Sequence, residues 1–188
     1  MASFMQKLKS FSGRFRRSED GTATIPFVIL FPMFLIIVVS SVEMGVLMIR
    51  HVMLERALDL AVRDLRLALW TPTVPANAGN ELRARICNYA GILPNCSNAM
   101  MVELRPVSKT TWAPLSSGAT CVNRNLPVNV NPTPTFGSSN ELMLIRACIK
   151  FDPLFPMTGA GFHLPKDNTG AYALVATTAF VNEPRPGT

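Results

Sequence analysis

Histidine is scarce in this 188-residue sequence, which has two, His51 and His163. No HExxH or G-x-S-x-G arrangement surrounds them, so neither a zinc-hydrolase helix nor an activated serine is marked. His163 close to Asp167 has the makings of a base with its orienter, but no nucleophile accompanies the pair, and a surface-loop histidine is the plainer reading. No glycine-rich loop opens a helix after a strand, so nucleotide binding has no support. No basic patch is interleaved with aromatic residues, which leaves no nucleic-acid partner to argue for. Catalysis and a cofactor are thus without a positive sign.

Charge is also thin, at 16% of residues, and it vanishes over Ile25–Val42, IPFVILFPMFLIIVVSSV. That run of about 18 apolar and small residues is the lower length for a helix crossing a bilayer. At 1.5 Å per residue Glu43 would sit roughly 27 Å beyond Ile25, near the far interface, where a carboxylate costs less than at mid-membrane. The alternative, a helix buried in a soluble core, asks a short chain to surround it on every side. Ahead of the run lie Lys7, Lys9, Arg14, Arg16 and Arg17, offset only by Glu19 and Asp20. This flank predicts a cytoplasmic N-terminus and an exported C-terminal part. A cleaved secretory signal would show a shorter apolar core and an A-x-A-like site, which is not found here. Half of the net charge of +6 lies in this short flank, whereas from His51 onward basic and acidic residues are interspersed and nearly balanced.

The four cysteines, Cys87, Cys96, Cys121 and Cys148, all fall on the exported side. An even number in an oxidising compartment reads as two disulfides, for which three pairings exist. The un-nested choice, Cys87–Cys96 with Cys121–Cys148, is favoured here, each bond worth roughly 3 kcal/mol of unfolded-chain entropy. Zinc is the competing reading, but no CxxC pair or neighbouring histidine supports it.

The chain divides into a basic leader (1–21), a transmembrane helix (22–49), a periplasmic extension of that helix (50–70) and an exported domain (71–188). Thr24 is placed to cap the helix, Pro26 is tolerated in its first turn, and Pro32 should kink it or loosen its hydrogen bonding. In the extension Leu54, Leu58, Ala61, Leu65 and Ala68 recur at four-and-three spacing, a seam that needs a partner, either the chain's own domain or a neighbouring chain. Thr71-Pro72 ends the helix. A short helix is expected over Asn80–Tyr89, stopped near Gly91, and strands over Met100–Val107, Glu141–Phe151 and Ala171–Asn182. Trp112–Asn140, rich in Pro, Asn and Ser, is either a covering loop or an interaction surface. A helical turn is expected within Phe151–Gly161. The fold class is therefore α+β, a long helix packed with a small antiparallel sheet in a disulfide-stapled domain.

The entry to the apolar run, RRSEDG-TATIPFVILFP, resembles that of TadE/TadG-like proteins of the tight-adherence (Tad) pilus, a branch of the type IV pilins. The resemblance implies a prepilin-peptidase site between Gly21 and Thr22 on the cytoplasmic face. Gly21 as a simple structure breaker ahead of an anchor is the reading that stays open beside it. The family pattern has Glu at the fifth position after the cut, followed by an aromatic. Here that position is Pro26, with Phe27 in place, so the carboxylate that would meet a neighbouring subunit's N-terminal amine is missing. Minor pseudopilins at filament tips share that lack, which implies a role in assembly, priming or tipping rather than in the filament body. Partners implied are other pilin-like subunits, the Tad assembly platform and the inner membrane. An uncleaved, membrane-anchored periplasmic scaffold is the rival. For Glu43 two readings stand, a charge contact with a partner helix or a snorkelling interface residue, the second preferred.

Overall fold

The computed structural model describes residues 24–67, 69–70, 77–111, 118–126 and 132–183. Gly21 and Thr22, Ala68, the Thr71-Pro72 stop, and residues 112–117 and 127–131 of the Trp112–Asn140 segment lie outside these residues.

The long helix, α1, runs from Thr24 to Arg66 without interruption, Pro32 included. Its two halves are in different surroundings. From Ile25 to Val38 the large apolar side chains stand exposed, Phe27, Ile29, Met33, Phe34 and Ile37 among them. From Leu54 on, one stripe of the same helix is fully buried. α1 ends four residues earlier than the 50–70 extension predicts: Leu67 N–H still reaches Arg63 O, but Leu69 N–H turns back to Asp64 O at 3.0 Å, and the helix unwinds toward the proline-rich segment.

Helix α2, Ala78–Ala90, lies against the buried half of α1. Leu82, Ile86 and Ala90 are fully buried and share a core with Leu54, Leu58 and Leu65. Gly91, at φ 52°, closes it with an N–H bonded to Cys87 O. A single turn, α3 (Cys96–Ala99), leads directly into strand β1, Met100–Pro106. Strand β2, Leu142–Phe151, and strand β3, Tyr172–Val181, complete an antiparallel sheet in the order β1-β2-β3. Between β2 and β3 lies α4, Gly159–His163.

The register explains the two layers. Side chains alternate across a strand, and Met100 stands opposite Ile149, Val102 opposite Ala147, and Ile149 opposite Leu174. These residues with Leu104, Ile145, Phe151, Tyr172, Ala176 and Phe180 form the sheet's inner face, closed by α1 and α2. The outer face carries Met101, Cys148 and Val175 in one row and Glu103, Arg146 and Thr177 in the next. Val122 is buried next to Cys121, whose disulfide to Cys148 ties this stretch to the outer face of β2. Thr135 N–H donates to Leu104 O at 3.0 Å, so the described part of the long β1–β2 connection returns along the free edge of β1. The second disulfide, Cys87–Cys96, joins α2 to α3. Both pairings are those expected from the sequence.

The seam Leu54, Leu58, Ala61 and Leu65 is the innermost part of this domain, with every member at most 7% exposed. It is not free for a neighbouring helix. The chain's own α2 and sheet supply the partner, because the connection after α1 is short enough to fold α2 straight back onto it.

Candidate functional site

The geometry that sets this molecule apart lies where the exposed and buried halves of α1 meet. Continuing the four-and-three spacing of Leu54 backward brings Arg50, Leu47, Glu43 and Ser40 onto the same helix stripe. The segment between β2 and β3, residues 152–163, lies over these residues.

Glu43 is fully buried. Its two carboxyl oxygens accept the backbone N–H groups of Leu154 (3.2 Å) and Phe155 (3.0 Å). This corrects the preferred reading: Glu43 does not snorkel at an open surface but is covered by its own chain. One turn earlier, Ser40 Oγ donates to Ile36 O at 2.7 Å and accepts the N–H of Ala160 at 3.2 Å. Gly159, at φ 49°, lies so close that a Cβ there would fall 1.9 Å from Ser40 Oγ and 3.3 Å from Ile36 O. Two turns later, Arg50 donates to Tyr172 Oη at 2.8 Å and to Asp152 O at 3.4 Å, with its guanidinium 4.6 Å from the Phe151 ring centre.

The segment is held from its other side as well. Lys166 Nζ donates to Gly161 O (2.8 Å) and Pro156 O (3.3 Å). Asp167 accepts Lys150 Nζ at 2.7 Å, Thr169 Oγ1 at 2.6 Å and the N–H groups of Thr169 and Ala171. The Lys150 ammonium first, then the Thr169 hydroxyl, hold the Asp167 carboxyl far below the usual carboxylate range. Asp167 is therefore engaged with Lys150 and the turn, while the exposed His163 packs edge-on against Phe162 at 5.3 Å between ring centres. The base-and-orienter pairing of His163 with Asp167 is not formed.

At the far end of α1, Asp64 accepts Tyr89 Oη at 2.6 Å and pairs with Arg85, which lies 5.3 Å from the Trp70 ring centre. On the outer sheet face, Glu103 is buried with Arg105 Nη2 2.6 Å from Oε1, although neither oxygen accepts a well-aligned hydrogen bond. An open groove of about 440 Å³ between α1 and β3 is lined by Asp59, Val62, Arg63, Arg66, Thr178 and Phe180. At its rim Arg66 donates to Glu183 at 3.0 Å. Among the described residues no group of three His, Cys, Asp or Glu side chains comes together to hold a metal ion.

The other residues singled out from the sequence lie on α1. Pro26 is in the first described turn, and Phe27 stacks on Phe31 at 4.9 Å between ring centres. On the face away from Glu43, Ser41, Val42, Met44, Gly45, Met48, Ile49 and Val52 are exposed. Nothing lies within 4 Å of where a Cβ on Gly45 would stand. Ser40 and Arg50 were not singled out from the sequence, although their place in the repeat of Leu54 and Leu58 was the signal for both.

Comparison with family models, with curated proteins and with solved structures finds no match to this chain.

Proposed function

We propose that this chain is a non-enzymatic, single-pass inner-membrane protein that acts as a TadE-like minor pilin in assembly, priming or tipping of a Tad pilus. The observation that carries the reading is the division of α1. Its N-terminal half offers an exposed apolar surface long enough to cross a bilayer, and its C-terminal half is the spine of a disulfide-stapled α+β domain. A helix that is both anchor and domain core fixes the domain rigidly relative to the membrane, which is what a subunit working by packing requires.

The helix-packing surface is the outward face of α1. The Leu54–Leu65 seam is filled from within, whereas Ser41 and Gly45, one turn apart and both exposed, let another helix backbone approach closely. Val42, Met48, Ile49 and Val52 flank them and extend the face past the end of the apolar run.

Pro26 favours a second reading, the uncleaved scaffold of the same machine, since it removes the carboxylate on which ordinary filament packing relies. Intact mass and N-terminal sequence of the protein from native membranes separate the two, with prepilin peptidase present and absent. The pilin reading expects a peptidase-dependent start at Thr22. A full-length chain in both strains would reject maturation and leave the scaffold.

A further inference from the structure

We infer that residues 153–163 form a second membrane contact, a loop whose leading amides are satisfied by α1 and that lies in the interfacial layer of the outer leaflet beside it. This rests on the membrane-spanning reading of α1, but not on the pilus reading.

Position is the first argument. The loop is bonded to α1 at Ser40 and Glu43. Along a helix these lie about 22 and 27 Å beyond Ile25. A bilayer core is about 30 Å thick, so a span that begins at Ile25 places both residues, and the loop seated on them, in the outer leaflet.

Surface composition is the second. Leu154, Phe155, Met157 and Phe162 are exposed, Met157 at 83% and Phe162 at 60%, in a segment with no charged residue between Asp152 and Lys166. Lys166 stands at the edge of the patch with its ammonium 5.7 Å from the Phe162 ring centre. An apolar patch rimmed by a cation matches the boundary between acyl chains and anionic headgroups.

The third is the backbone. Irregular chain is tolerated at membrane depth only where its polar groups find partners inside the protein. Here the N–H groups of Leu154 and Phe155 go to Glu43 and that of Ala160 to Ser40. Those of Phe162 and Leu164 go to Thr158 O and Ala160 O, and the carbonyls of Pro156 and Gly161 accept Lys166. The loop and Glu43 solve each other's problem: the carboxyl group is hidden from lipid, and the loop's leading amides are satisfied without water. A protein partner would also cover the apolar side chains, but the depth set by Ser40 and Glu43 favours lipid.

The test uses the full-length protein in phosphatidylcholine–phosphatidylglycerol vesicles, with Met157→Trp in one variant and Phe34→Trp in another, each read against the parent. Phe34 lies about 13 Å beyond Ile25, near the bilayer centre, and reports the span itself. The expected result is blue-shifted Met157→Trp emission quenched by shallow doxyl-labelled lipid and protected from iodide. Phe34→Trp is expected to be quenched by the deep label. Phe34→Trp quenched by lipid while Met157→Trp is quenched only by iodide overturns the loop inference and leaves the span. Blue-shifted Met157→Trp emission that no lipid label quenches overturns it in favour of a protein covering. Quenching of neither position by lipid removes the span, and the loop contact with it. Gly159→Val, which drives a side chain into Ser40, should return the Met157→Trp signal to iodide access.

Discussion

At the scale of single residues, Glu43 carries the junction. Glu43→Ala leaves two backbone amides without partners in a covered site, which should cost about 1–3 kcal/mol. Glu43→Gln keeps one acceptor oxygen and should fall between Ala and the parent in thermal unfolding. If Glu43→Ala unfolds at the parent's temperature, the carboxyl–amide contact does not hold the loop. Asp167 gives a second, pH-dependent expectation. Its carboxyl is held low in the folded chain, chiefly by Lys150. Its contribution is therefore present above the unfolded value of about 3.9 and declines as pH falls toward the folded value. Asp167→Asn should unfold at a lower temperature than the parent at neutral pH, and the gap should narrow below about pH 4. A gap that stays constant through acid would show that Lys150 and Asp167 are not coupled through charge. Neither role was legible in advance. Sequence spacing placed Glu43 at a membrane boundary, but its partners lie more than a hundred residues away, and backbone amides carry no sequence signal.

At the scale of elements, α1 has two faces with opposite fates, and paired substitutions separate them. Leu58→Asp puts a charge at a fully buried position and should abolish the cooperative unfolding transition, because an unpaired core charge exceeds the stability of most domains. Gly45→Leu fills open space on the exposed face. On the proposed pilin reading it should leave the thermal transition unchanged while lowering recovery of pilin-like partners in membrane pull-downs. Folding of Leu58→Asp, or unimpaired partner recovery with Gly45→Leu, would reverse the assignment of the faces. The elements themselves were largely legible. Four-and-three spacing marks Leu54–Leu65, alternation over Val102, Glu103, Leu104 and Arg105 marks β1, the largely apolar runs mark β2 and β3, and both disulfides match the un-nested order. What was not legible is which partner fills the seam, because the same apolar stripe suits the chain's own α2 or a neighbour. The short turn α3 escaped for a related reason: four residues of helix between a disulfide and a strand have no period to read.

At the scale of the whole molecule, one helix joins two environments. Its exposed half is long and apolar enough for a bilayer, its buried half organises the domain, and the 152–163 segment packs on α1 at the transition between them. On the proposed single-pass reading, the basic flank ahead of Ile25 sets the direction, with the N-terminus inside and the domain outside. The measurement that tests this most directly is labelling by a membrane-impermeant maleimide in cells with a permeabilised outer membrane, using Ser10→Cys and Val181→Cys variants. Val181 is exposed on the last strand, and residue 10 lies in the basic flank. The account predicts that Val181→Cys is labelled in intact spheroplasts and Ser10→Cys only after the inner membrane is broken. Labelling of both positions before lysis, or of neither, would contradict a single pass with the domain exported.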